Sequence, residues 1–152
     1  MSQIPLKELL YQQCLDYVQK RMQAAEQGIK EAQKASNDDT KSSAGDKYET
    51  GREMAQQETD RNMAQLNEAN KLKVALNKIS TVATNKHVEN GSVVLTNNGN
   101  FYMAISAGVL VADVVSYFAV SPASPIGLKL KGLKAGDGFS LNGKDYTITA
   151  VL

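Results

Sequence analysis

Apolar residues near the start of the chain fall at Tyr11, Leu15, Val18, Met22, Ala25, Ile29 and Ala32, in alternating steps of four and three. That spacing predicts one amphipathic helix with a coiled-coil seam, from near Pro5 to about Ala35. Gln12, Asp16, Lys20, Gln23, Gln27 and Lys34 occupy its polar face. A second helix is expected from about Asp46 to Ile79. Its stripe is weaker, through Tyr48, Ala55, Met63, Leu66, Ala69, Leu72, Leu76 and Ile79, with Thr59 and Asn62 intruding. Between them the stretch NDDTKSSAG, residues 37–45, holds no residue for a core other than one Ala and predicts a loop. No Pro lies between Pro5 and Pro122 to break either helix. Two helices of similar length joined by a short polar loop predict an antiparallel hairpin. Arms of about 30 residues, at ~1.5 Å each, would make a rod of roughly 45 Å.

Beyond Ser80 the periodicity changes from helical to alternating. Turn dipeptides recur at Asn90-Gly91, Asn98-Gly99, Gly136-Asp137 and Asn142-Gly143. Asn-Gly between β-prone runs is a strong hairpin signal, because both residues tolerate positive φ. The expected strands are 92–96, 101–107, 114–120, 139–141 and 146–151. Ser124-Pro125 predicts a short helix over 126–131, with Ser as cap, Pro in the first turn and Gly132 as stop. The expected class is therefore α+β: a helical hairpin over 1–79 with its tip near 37–45, then a small β-rich domain over 80–152 carrying one short helix.

Charge narrows the function classes. The chain has 152 residues with 17 basic and 16 acidic side chains. So even a balance argues against a general electrostatic nucleic-acid binder. Met1–Ile79 holds 12 of the basic and 12 of the acidic residues and no Phe, whereas the rest holds all three Phe and eight of the eleven Gly. One Cys, Cys14, and one His, His87, leave no intrachain disulfide and no multi-histidine metal site. The apolar run Met103–Val120 is interrupted by Asp113, whose insertion at mid-bilayer would cost ~2.5–3.5 kcal/mol. The run predicts two buried strands, and with no secretory signal at Met1–Tyr11 the expectation is a soluble, cytoplasmic protein. No Ser-His-acid set, phosphate-binding Gly loop or dinucleotide fingerprint is present, so no intrinsic catalytic residue is assigned. Cys14 is expected to be packed, His87 to face water, and Met22, Met54 and Met63 to fill the seam. Phe101, Tyr102, Tyr117, Phe118 and Phe139 are expected in or near the β core, some of them available as an exposed docking patch.

Three features carry a family resemblance. Ser124-Pro125-Ile126-Gly127, Lys131-Gly132-Leu133-Lys134-Ala135-Gly136-Asp137 and Tyr146-Thr147-Ile148 resemble the ending of the Gre family of bacterial transcript-cleavage factors. Gly45-Asp46-Lys47-Tyr48-Glu49-Thr50-Gly51-Arg52-Glu53 is similar to the start of that family's second hairpin helix. The order, hairpin first and β domain last, is also the same. The resemblance implies an FKBP-like C-terminal domain that binds bacterial RNA polymerase, with Ser124, Pro125, Ile126, Gly127 and Asp137 in the binding segment. It also implies a hairpin inserted into the polymerase secondary channel, where acids at its tip help hold the catalytic Mg²⁺. Nascent RNA would be met only inside that complex, no cofactor would be bound stably, and the factor would be a monomer without nuclease activity of its own.

The tip departs from the family pattern. The positions seven and four before Tyr48 are Lys41 and Ala44. Asp38 and Asp39 are then the favoured tip acids, with Asp46 and Glu49 as alternatives. Adjacent carboxylates suit a hard divalent cation, and metal-polarised water suits phosphodiester hydrolysis. The altered tip leaves open a secondary-channel inhibitor that does not stimulate cleavage. A coiled-coil adaptor is the rival from another class.

Overall fold

The computed structural model describes residues 5–40 and 45–152, with side chains from 5–35 and 51–152. The protein is α+β, with two long helices followed by a six-stranded mixed sheet and one short helix. Helix α1 spans Leu6–Thr40 and α2 spans Gly45–Asn77. Strands β1 (Val93–Thr96), β2 (Gly99–Met103), β3 (Gly108–Ala112) and β4 (Val115–Val120) precede α3 (Pro125–Leu130); β5 (Gly138–Leu141) and β6 (Lys144–Val151) follow it. The chain divides into two compact units, Tyr17–Lys73 and a unit formed by Met1–Asp16 with Val74–Leu152.

Within Tyr17–Lys73 the helices pack antiparallel. Arg21 donates to Gln65 at 3.1 Å, and Gly28 lies against Asn62, so the numbering rises along one helix as it falls along the other. The seam is small: Val18, Ala25 and Ala32 from α1 and Ala55 and Ala69 from α2 are its buried residues. Narrow side chains let the backbones approach closely, and they bury little surface. Two expectations are corrected here. α1 continues into the stretch expected to be a loop as far as Thr40, so Asp38 and Asp39 belong to its last turn, while residues 41–44 lie outside the described ones. Met54 and Met63 are exposed rather than in the seam, and Asn62 takes the position that Met63 was expected to fill.

In the other unit the sheet order is β3-β4-β2-β1-β6-β5, with β2 and β4 parallel and the remaining pairs antiparallel. The two faces bury different sets, as period-2 alternation requires. Val94, Phe101, Met103 and Ile148 form one core with Val88 and with Leu130 of α3, and Ile126 packs against it. The rings of Phe118, Phe101, Tyr146 and Phe139 follow one another across that face, ending in a stacked Phe139–Tyr146 pair at 4.8 Å. The opposite face buries Val93, Tyr102, Leu110, Ala112, Tyr117 and Ala119, and Leu10, Cys14 and Leu76 of the two long helices are buried in the same unit. Tyr11 ties these helices together there, its hydroxyl donating to the Leu76 carbonyl at 3.1 Å.

The run Met103–Val120 departs from expectation. It makes β3 and β4, a hairpin whose first strand was not anticipated, and neither strand is buried throughout. Leu110 and Ala112 of β3 and Tyr117 and Ala119 of β4 are buried, whereas Val109, Val111, Ser116 and Phe118 between or beside them are exposed. Asp113 and Val114 form the turn between β3 and β4, so Val114 lies outside the strand expected over 114–120. No helix among the described residues is long and apolar enough to cross a membrane.

Candidate functional site

The Ser124–Asp137 segment is built as a helix with a tight entry and a turn. Ser124 adopts extended backbone before α3, and its Oγ accepts from the Gly127 amide at 3.1 Å while donating to the Ser121 carbonyl at 2.6 Å. The hydroxyl thus caps the helix and closes the preceding turn together. Pro125 fills the first helical turn, where it surrenders no hydrogen bond. Ile126 packs on the core, and Gly127 is buried where a β-carbon would lie 3.0 Å from Pro122 Cα and closer still to the Ser121 carbonyl. Asp137 accepts from the Lys134 amide at 3.0 Å, and its own backbone amide donates to the Lys134 carbonyl at 3.0 Å. Its carbonyl accepts from Ile148, which anchors the turn to β6. All five residues of the sequence-assigned binding segment therefore have a position in the packing of α3 or its following turn. Pro125 is exposed, and Ser124, Ile126 and Asp137 are half-buried.

Asp38 and Asp39 lie in the last turn of α1, and Asp46 and Glu49 lie at the start of α2. Their side chains fall outside the described ones. Among the described residues no group of three or more His, Cys, Asp or Glu is arranged to hold a metal ion.

A surface feature that the alternation pattern alone did not reveal lies on β3 and β4. Val109 and Val111 are 55% and 54% exposed, and Phe118, the register partner of Val109, is 44% exposed. They share the sheet face on which α3 sits, because Phe118 is in register with core Phe101 and touches it at a ring separation of 5.9 Å. The core cluster under α3 reaches β4 at Val120 but includes neither Val109 nor Val111. The result is a bare apolar strip on the outer two strands. At the hairpin tip Asp113 and Val114 have φ of 50° and 60°, and Val114 is 96% exposed. A β-branched residue in the left-handed region is a strained choice for a solvent-facing turn.

The remaining candidates are inert or structural. Cys14 is fully buried and burial pushes its thiol up to about 12, the opposite of what a nucleophile requires. Tyr102 is also fully buried; burial and the neighbouring Cys14 and Tyr11 push its phenol upward, and its hydroxyl has no hydrogen-bond partner. Exposed His87 makes an antiparallel backbone bridge with Lys134. In the hairpin unit a cleft of about 430 Å³ runs between the helices beside Gly28, Ala32, Gly51 and Ala55. It is a consequence of the small seam.

These features define a two-helix hairpin protein with a mixed-sheet module. No protein-family model, curated protein or solved structure matches the chain.

Proposed function

We propose that the protein is a Gre-like regulator of transcription elongation. In this reading its FKBP-like β module docks on bacterial RNA polymerase, and its helical hairpin enters the secondary channel. The observation that carries the reading is the acidic hairpin end. Along the chain, Asp38 and Asp39 fall in the last turn of α1, and Asp46 and Glu49 fall at the beginning of α2. A recessed Mg²⁺ held largely by another protein is a chemistry that uses such carboxylates. The metal, supplied by the polymerase, would polarise the attacking water and offset charge on the phosphate. The chain's own part is to deliver oxygen ligands to it and to hold the base in place.

The apolar strip at Val109, Val111 and Phe118 supports the docking half of the proposal. It is an uncovered hydrophobic surface continuous with a packed core, suited to a protein partner. The experiment is transcript cleavage on stalled, backtracked polymerase. Wild-type chain should shorten the RNA, Asp38→Ala with Asp39→Ala should not, and Asp46→Ala with Glu49→Ala should retain most activity. Phe118→Lys should lose polymerase capture with the tip intact. Capture without cleavage by wild type would favour the channel inhibitor, and no capture at all would favour the adaptor.

A further inference from the structure

We propose that the outer edge of β3 is a latent strand-pairing site for β3 of a second copy of this chain, and that the Gln13 side chain holds it shut. β3 is the outermost strand of the sheet and bonds to β4 on one side only. On the other side Gln13 Nε2 donates to the Val111 carbonyl at 2.8 Å, and the Val111 amide donates to Gln13 Oε1 at 3.3 Å. A primary amide carries one donor and one acceptor in the spacing of a peptide group. Gln13 therefore reproduces, at a single residue, what a neighbouring strand would offer. Because Val111 spends both backbone groups outward, antiparallel alternation turns those of Val109 outward as well.

Apart from Gln13, the edge carries no charge, proline or bulge against β4 to protect it, and Gly108–Ala112 reads GVLVA. Its solvent-facing side chains, Val109 and Val111, are apolar and half-exposed. A second β3 fits this edge better than an unrelated strand. Antiparallel pairing about a twofold axis sets uncharged strand against uncharged strand and brings the two apolar strips onto one continuous face. With Gln13 in place the Val111 position is occupied, and the register such a dimer needs is blocked. Gln13 sits on α1, so displacement of that helix segment would open the edge.

Sedimentation velocity tests the proposal over a range of protein concentrations. Wild type should remain monomeric. Gln13→Ala and the volume-conserving Gln13→Met should each rise toward twice the monomer mass as concentration increases. Val109→Lys added to Gln13→Met should return it to monomer. Amide exchange supplies a check in the unaltered chain, where Val111 should be protected and Val109 should exchange rapidly. Gln13 variants that are folded by circular dichroism yet sediment as wild type would overturn the proposal. So would a wild-type dimer, a Gln13→Met dimer indifferent to Val109→Lys, or a Val111 amide as labile as that of Val109.

Discussion

Gly28 of α1 lies so close to Asn62 of α2 that a β-carbon on Gly28 would sit 2.6 Å from Asn62 Cγ. The Asn62 amide is not free to swing away without loss, because its Nδ2 donates to the Glu58 carbonyl at 2.8 Å. Glycine inside a helix ordinarily costs about 1 kcal/mol relative to Ala. Here the smaller residue admits a polar partner into the seam. Gly28→Ala alone should therefore gain little or lose stability, since the collision offsets the helix propensity. In an Asn62→Ala background the same change should stabilise by about 1 kcal/mol. Urea melts of the four proteins should give a coupling near 1 kcal/mol. Additivity within the ~0.5 kcal/mol expected of independent sites would refute the contact.

The entry to α3 gives a second test. Ser124→Ala removes the cap on the Gly127 amide and should cost about 1 kcal/mol. Gly127→Ala should cost more, because its β-carbon meets the Ser121 carbonyl and Pro122 backbone, and backbone cannot rotate aside as a side chain can. Both variants should lower the thermal midpoint of the purified protein with no polymerase present. Loss of polymerase capture at unchanged stability would instead assign these residues to binding alone.

Cys14 and Tyr102 make the fold sensitive to alkali. The Cys14 thiol is raised from its ordinary 9.0 to about 12, and the Tyr102 phenol is raised above its ordinary 10.0, both chiefly by burial. For groups raised in the folded state, the stabilising contribution is complete below the unfolded value and is lost as pH climbs toward the folded one. Stability should thus fall from about pH 9 upward, by up to ~1.4 kcal/mol per pH unit for each group. Lys7, whose ammonium is lowered by burial with Glu89 opposing, acts in the other direction near its own titration. Tyr102→Phe should flatten the fall above pH 10. It should also leave neutral-pH stability unchanged or slightly higher, since the lost hydroxyl has no partner. Urea midpoints from pH 7 to 11 measure both effects, and a profile equally steep without Tyr102 would contradict the assignment.

The sequence was most legible where local chemistry alone decides the backbone. Asn142-Gly143 forms its turn with φ of 52° and 79°, as the dipeptide predicts, and Ser124-Pro125 opens a helix as cap and first turn. Asn98-Gly99 was displaced by one residue. Thr96 pairs with Gly99, so the loop is Asn97-Asn98 and Gly99 opens β2 at φ 125°. β3 escapes the pattern because Gly108 and Asp113 stand singly at its ends rather than as a turn dipeptide, and its closing turn contains Val where Gly or Asn is usual. The run of Asn, Asp and Thr after Ala35 reads as a loop by propensity, yet α1 continues to Thr40. Propensity differences of a few tenths of a kcal/mol per residue do not stop a helix already propagating. The candidate site was only partly legible for a different reason. Phe118 and Phe101 have equal hydrophobicity, and what separates them is how far across the sheet α3 reaches, a tertiary fact absent from any local pattern.

Val114 offers the last prediction. Positive φ at both central residues is what a two-residue turn between twisted antiparallel strands demands, and Asn-Gly meets that demand without strain. Asp113 tolerates it through its short polar side chain, whereas Val114 at φ 60° crowds its branched β-carbon against the backbone. The side chain is 96% exposed, so truncation forfeits almost no packing in the free protein. Val114→Gly should relieve ~1–2 kcal/mol of strain, less the extra entropy glycine gives the unfolded chain, for a net gain of about 1 kcal/mol. That corresponds to roughly 2–4 °C in the thermal midpoint for a chain of this size. If Val114 belongs to the docking strip, the same variant should bind polymerase more weakly while melting later. A lower melting temperature would show instead that the valine is held by packing within the fold.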